Sequence, residues 1–128
     1  MSNGNRLLDK VALITGAGSG IGLETARLFA SEGARVAIVD IDADAASAAK
    51  EEITAGGGQA LALIADVSCD GDCARMVADT EATFGALHVM FNNAGISHID
   101  DDGAEATEEA VWDLTMQVNL KGVFLGCK

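Results

Sequence analysis

A chain of 128 residues, 49% hydrophobic, is long enough for one domain with its own core and needs neither metal nor disulfide to hold it together. Its net charge of −12 at pH 7, from 20 acidic residues against 8 scattered Lys and Arg, sets nucleic acid and anionic membrane surfaces aside as partners, because both need a basic stripe. No apolar run approaches the ~20 residues of a membrane span, and the first six residues lack the apolar core of a signal peptide, so a cytoplasmic protein is expected.

Val11 to Ile14 is an apolar run that breaks into Thr15-Gly16-Ala17-Gly18-Ser19-Gly20-Ile21-Gly22, and Leu23 to Ala30 follows at helical spacing. This is the pattern of a strand, a phosphate-binding loop and a helix. Glycines at 16, 20 and 22 remove side chains where a backbone must turn tightly and approach a pyrophosphate. The N–H groups that open the helix then face the anion with the positive end of the helix dipole. Gly18 is expected to tolerate a methyl group better than Gly16 or Gly22 tolerates a branched side chain.

Arg35 to Asp40 supplies a second strand ending in an acid, 20 residues beyond Gly20. A carboxylate at that distance is placed to accept hydrogen bonds from adenosine ribose hydroxyls and to repel a ribose phosphate, which points to NAD. Ala43 to Ala55 reads as a helix stopped by Gly56-Gly57-Gly58. Gln59 to Ala65 is a third strand, ended by Asp66. Ser68 is a plausible cap for a helix with Cys73, Met76, Val77, Thr80 and Phe84 on one stripe, terminated by Gly85.

Leu87 to Phe91 forms a fourth strand that delivers Asn92-Asn93-Ala94-Gly95 at its carboxyl end. An acidic loop, Ile99 to Glu105, follows. Thr107 with Glu108 and Glu109 then caps a helix carrying Val111, Leu114, Thr115 and Val118, ahead of Val123-Phe124-Leu125. The three cysteines are odd in number; Cys69, Cys73 and Cys127 read as small apolar residues, and a metal site from Cys69, Asp70, Asp72 and Cys73 lacks a second ligand cluster. His88 and His98 are expected in ordinary packing or solvated roles.

Alternating βα units imply an α/β fold, a Rossmann-type doubly wound parallel sheet over residues 1–128, with ligands at the carboxyl ends of the strands. Gly16, Asp40, Asp66 and Asn93 all fall at those ends.

Taken together, Thr15-Gly16-Ala17-Gly18-Ser19-Gly20-Ile21-Gly22, Asp66-Val67, Asn92-Asn93-Ala94-Gly95 and Asn119 within Val118-Asn119-Leu120-Lys121-Gly122 resemble the classical short-chain dehydrogenases and reductases. The likeness runs from Leu8 onward. It implies a dinucleotide site in which Ser19 and the backbone at Ile21 meet the cofactor phosphates and Asp40 the adenosine ribose. Asp66 and the backbone of Val67 would meet the adenine, with Asn92, Ala94 and Gly95 beside the cofactor. Asn93 is implied to tie neighbouring strands, and Asn119 to kink its helix and hold a water in a proton relay. NAD, a small alcohol or ketone substrate, and a homo-oligomer, dimer or tetramer, as the full-length protein are implied as well.

The chain departs from that family where the chemistry is done. The family uses a Ser and a Tyr-x-x-x-Lys motif downstream of the position of Asn119, and this chain contains no tyrosine. It is expected to be the amino-terminal part of a longer enzyme, with an incomplete sheet whose fourth strand presents an open edge. Two alternatives stay open: a binding or regulatory module that holds the dinucleotide without turnover, and a methyltransferase, since Gly16-Ala17-Gly18-Ser19-Gly20 also fits a G-x-G-x-G turn. The substrate pocket is not legible; the loop Gly95 to Glu105 is its one candidate contribution here.

Overall fold

The computed structural model describes residues 6–94 and Glu109. Gly95, Asn119, the acidic loop, the helix expected from Thr107 and Cys127 lie outside the described residues. Within them the chain alternates strictly, β1 (Val11–Thr15), α1 (Gly20–Ser31), β2 (Arg35–Asp40), α2 (Ala43–Ala55), β3 (Gln59–Ile64), α3 (Asp70–Phe84) and β4 (Val89–Phe91). The four strands form one parallel sheet in the order β3-β2-β1-β4. No helix among the described residues is long and apolar enough to cross a membrane.

Successive strand residues face opposite sides of a sheet, and both sides here are apolar. Ile14, Val36 and Ile38 pack on one face against Ala26 of α1 and Ala46, Ala49 and Ile53 of α2. Leu13, Ala37 and Val39 pack on the other against Cys73 and Met76 of α3. The sheet is therefore wound on both faces. Leu13 and Ile14 are fully buried, so truncating either to Ala would cost about 2–5 kcal/mol.

The local stops explain the element ends. Asp42 caps α2, its Oδ1 accepting from the backbone N–H groups of Asp44 and Ala45 at 3.0 and 3.2 Å. Gly85 ends α3 in the left-handed conformation, φ 85°. Ser68 does not cap α3, contrary to the expectation from sequence: the cap position is Cys69, which contributes no side-chain bond, while Ser68 turns back to the Asp66 carboxylate. β4 starts at Val89 rather than Leu87 because His88 pairs with Val11 twice. Its N–H donates to the Val11 carbonyl, and its Nδ1 accepts from the Val11 N–H, each at 2.9 Å.

The chain runs β1, β2, β3 in one direction and then crosses back over β1 to form β4. This reversal puts the switch in strand order at the carboxyl ends of β1 and β4, the place where open α/β sheets bind ligands in a crevice.

Candidate functional site

The crevice is built from the glycine loop on one side and the segment after β4 on the other. Thr15 is buried, and its hydroxyl joins the two: Oγ1 accepts from the backbone N–H groups of Asn93 and Ala94, each at 3.0 Å, and donates to the Phe91 carbonyl at 3.5 Å. One donor and two acceptor positions are thereby all filled. Asn93 adds a side-chain bond, Nδ2 to the Gly16 carbonyl at 3.4 Å. The expected strand-tying role of Asn93 is what the geometry shows, and Asn92 follows β4 directly at the same crevice. Thr15 was missed from sequence; a polar β-branched residue closing an otherwise apolar strand just before a glycine turn is the signal that marks it.

At Gly16, Gly18 and Gly22 the loop leaves little room for a side chain. A Cβ on Gly22 would lie 2.4 Å from the Gly16 carbonyl oxygen and 2.7 Å from Asn93 Nδ2. Gly16, at φ +65°, would bring a Cβ to 3.0 Å from Ala94 Cα. Gly20 has open space but sits at φ +57°, a conformation that costs side-chain-bearing residues about 1–2 kcal/mol. Gly18 is tighter than the sequence suggested: its Cβ would meet Ala45 Cβ at 2.7 Å and Asp40 Oδ2 at 2.8 Å. A methyl group there is not free of cost, because the loop packs directly against the start of α2, yet it meets side chains where one on Gly22 meets backbone.

The amino end of α1 differs from those of its neighbours. α2 is capped by Asp42 with Asp44 in its first turn, and α3 carries Asp70 and Asp72 in its first turn. α1 has no acid in its first turn, and its cap residue Ser19 makes no side-chain capping bond. The helix ladder begins with Leu23 N–H to the Ser19 carbonyl at 3.2 Å, so the N–H groups of residues 20–22 point out of the helix end. An anion is favoured at this helix end, and no acid of the helix's own first turn competes for it. Beside it, an open groove runs along α1, where Ile21 is 73% and Leu28 53% exposed.

Asp40 closes β2 within reach of the same loop. Its Oδ2 accepts from Gly18 N–H at 2.9 Å and its Oδ1 from Asp42 N–H at 3.0 Å. Both oxygens are fixed by backbone donors, and each keeps a further lone pair for a hydroxyl. Ile41, the next residue, is exposed and brings no cation. Asp66 sits past the end of β3 and takes Ser68 N–H and Oγ on Oδ1, at 2.9 and 2.6 Å, with Val67 buried beside it.

Among the described residues no group of three or more His, Cys, Asp and Glu is arranged to hold a metal. Cys73 is buried and donates to the Val67 carbonyl at 3.3 Å; burial holds its thiol above the ordinary value, which suits packing rather than nucleophilic work. Cys69 is exposed, not packed as the sequence suggested.

Comparison with known proteins agrees with this geometry. Residues 10–128 match the family model described as short chain dehydrogenase. The chain is 45% identical over 120 residues to a cyclohexanol dehydrogenase of Acinetobacter sp. (strain SE19), covering 94% of this chain and 47% of that enzyme. It is 39% identical over 123 residues to levodione reductase of Leifsonia aquatica, covering 94% and 46%. Its fold matches a 3-ketoacyl-(acyl-carrier-protein) reductase from Brucella melitensis, solved with NADH, at a TM-score of 0.88 and 43% identity, covering 94% of this chain and 48% of that one. The chain thus spans about half the length of the relatives it matches.

Proposed function

This chain belongs to the short chain dehydrogenase family, and on that premise we propose that it binds NAD for an oxidoreductase that interconverts an alcohol and a ketone. The observation that carries the proposal is the contrast at the helix ends. α1 alone of the three described helices has an acid-free first turn, and it opens from a loop in which Gly16 and Gly22 lie against backbone. A pyrophosphate suits such a helix end by charge. The methyltransferase alternative falls away with the family match.

Gly16, Ser19, Gly20, Ile21 and Gly22 would hold the phosphates, Asp40 the adenosine ribose, and Asp66 with Val67 the adenine. Asn92, Ala94 and Gly95 would border the nicotinamide end, and Asn119 would serve the proton relay. The dinucleotide supplies the hydride chemistry; the protein's part is orientation and proton transfer. Since the 128 residues contain no tyrosine, these residues are proposed to bind and orient, with no turnover of their own. The sheet is proposed to be the dinucleotide-binding domain of a cytoplasmic homo-oligomeric enzyme.

NAD is favoured over NADP by charge. Asp40 closes β2 with its carboxylate held by backbone donors, and the exposed Ile41 beside it brings no cation, so a 2′-phosphate would meet an uncompensated negative charge. Titration calorimetry with each cofactor tests this. NAD is expected to bind at least about tenfold more tightly, and Asp40→Ser to narrow the gap. Equal dissociation constants in the unaltered protein would remove Asp40 from the ribose, and no binding of either cofactor would overturn the dinucleotide site.

A further inference from the structure

Past the end of β3 the backbone leaves the sheet, and its polar groups are collected by α3. Asp72 Oδ2 accepts from Asp66 N–H at 2.9 Å, Cys73 Sγ donates to the Val67 carbonyl at 3.3 Å, and Arg75 Nη2 donates to the Ile64 carbonyl at 2.6 Å. Three side chains from one helical turn thus bracket residues 64–67. Arg75 also lies 3.5 Å from Asp72 Oδ1, which holds the acceptor in place. The Asp66 carboxylate is oriented separately, through Ser68.

We infer that Asp72 is a positioning residue for the adenine end of the cofactor site, acting through the Asp66 main chain, with Arg75 steadying it. The inference rests on the proposal that Asp66 and Val67 face the base. A carboxylate fixed on a short turn selects a ring by the donor the ring presents. Adenine offers its 6-amino N–H to such an acceptor, whereas hypoxanthine offers a carbonyl oxygen, which the carboxylate repels. Selection of this kind depends on where Asp66 sits to within a fraction of an ångström, because hydrogen bonds weaken steeply off their preferred geometry. Asp72 fixes the main chain from which that carboxylate springs, while Ser68 turns the carboxylate itself.

The Gly-loop and Asp40 bind parts of the dinucleotide that adenine and hypoxanthine forms share. The ratio of affinities for NAD and nicotinamide hypoxanthine dinucleotide therefore isolates the base end, and a change that merely loosens the fold does not move that ratio.

Both affinities are measured by calorimetry on the unaltered protein, Asp72→Ala, Asp72→Asn and Arg75→Met. The unaltered protein is expected to prefer NAD by about tenfold or more. Asp72→Ala is expected to bring the preference to within about twofold, whereas Asp72→Asn, which keeps an acceptor for Asp66 N–H, retains most of it. Arg75→Met is expected to give an intermediate ratio and carries the test should Asp72→Ala fail to fold. An unchanged ratio in Asp72→Ala, or in Arg75→Met where that variant decides, overturns the inference. Equal binding of both dinucleotides by the unaltered protein also overturns it while leaving the dinucleotide site standing, and absence of binding to either overturns the site and the inference together.

Discussion

The hydroxyl oxygen of Thr15 lies 3.0 Å from the backbone nitrogen of Asn93, a contact between residues 78 apart in sequence. The paired register of β1 and β4 ends at Ile14 and Phe91, and Thr15 continues the connection with its side chain where the ladder has run out. The two walls of the crevice are therefore fixed to each other by a hydroxyl that is itself buried. The glycine loop starts from a rigid base, and any ligand lying across the crevice meets walls whose separation is already set.

Thr15→Val keeps the shape and removes the acceptor. Ala94 N–H then loses its partner, while Asn93 N–H keeps the Phe91 carbonyl at 3.0 Å, and the change is expected to cost about 1–2 kcal/mol, in the lower part of the range for an unsatisfied donor. Thr15→Ser, which keeps the oxygen, is expected to lose less than half of that. Urea denaturation of the three proteins measures it. Equal stability of Thr15→Val and the unaltered protein would show that water replaces the bond without loss.

The alternation of strands and helices was legible in the sequence because both signals are local. Apolar runs end in turn residues, and Gly85 or Asp42 stops or starts a helix through its own backbone or carboxylate. The glycine loop and Asp40 were legible for the same reason. What escaped depended on contacts between distant segments. Nothing near Val11 shows that the His88 ring will accept its N–H, and the closeness of Gly18 to Ala45 exists only after α2 has docked, whereas Ser68 is lost to a local competitor, the Asp66 carboxylate two residues before it.

The loop glycines separate by cause. At Gly22 a methyl group would stand 2.4 Å from the Gly16 carbonyl and 2.7 Å from Asn93 Nδ2, so Gly22→Ala must push apart the contact that joins the two walls. It is expected to lower dinucleotide affinity by about a hundredfold, the upper part of the range for an overpacked site. Gly20→Ala meets no atom and carries only the left-handed strain, about 1–2 kcal/mol in stability. Calorimetry and urea denaturation on both variants check the contrast. A larger affinity loss at Gly20 than at Gly22 would place the close approach at the wrong glycine.

Asp72 gives the fold an acid dependence of known sign. The Asp66 N–H holds its carboxyl below the usual carboxylate range, with Arg75 adding to the effect and burial opposing it. A depressed folded value means that the stabilisation is complete above the unfolded value and is lost as pH falls through the folded one. Asp72→Asn cannot titrate, so the gap in urea midpoint between it and the unaltered protein is expected to be constant near neutrality and to narrow as the pH falls below the ordinary carboxylate range. A gap that widens with acid would reverse the sign and place the favourable interaction with the protonated form.

Gly18 is the position where the structure most changes what a substitution should do. Its N–H donates to Asp40 Oδ2 at 2.9 Å, and the same oxygen stands 2.8 Å from where a Cβ would be. A methyl group there cannot coexist with the carboxylate in its place. Ala45 blocks relief on the other side, at 2.7 Å, because it belongs to the first turn of α2. The carboxylate is the more movable neighbour, so Gly18→Ala is expected to act chiefly by turning Asp40 away from the ribose. Its effect on the NAD to NADP affinity ratio should then match that of Asp40→Ser, and the double variant should show little further change. Strong non-additivity of this kind is the mark of two residues acting through one group. The ratio is read by calorimetry with both cofactors on all four proteins. If the two effects add in full, the methyl acts on the loop and not on Asp40, and the Gly18 N–H has no part in cofactor choice.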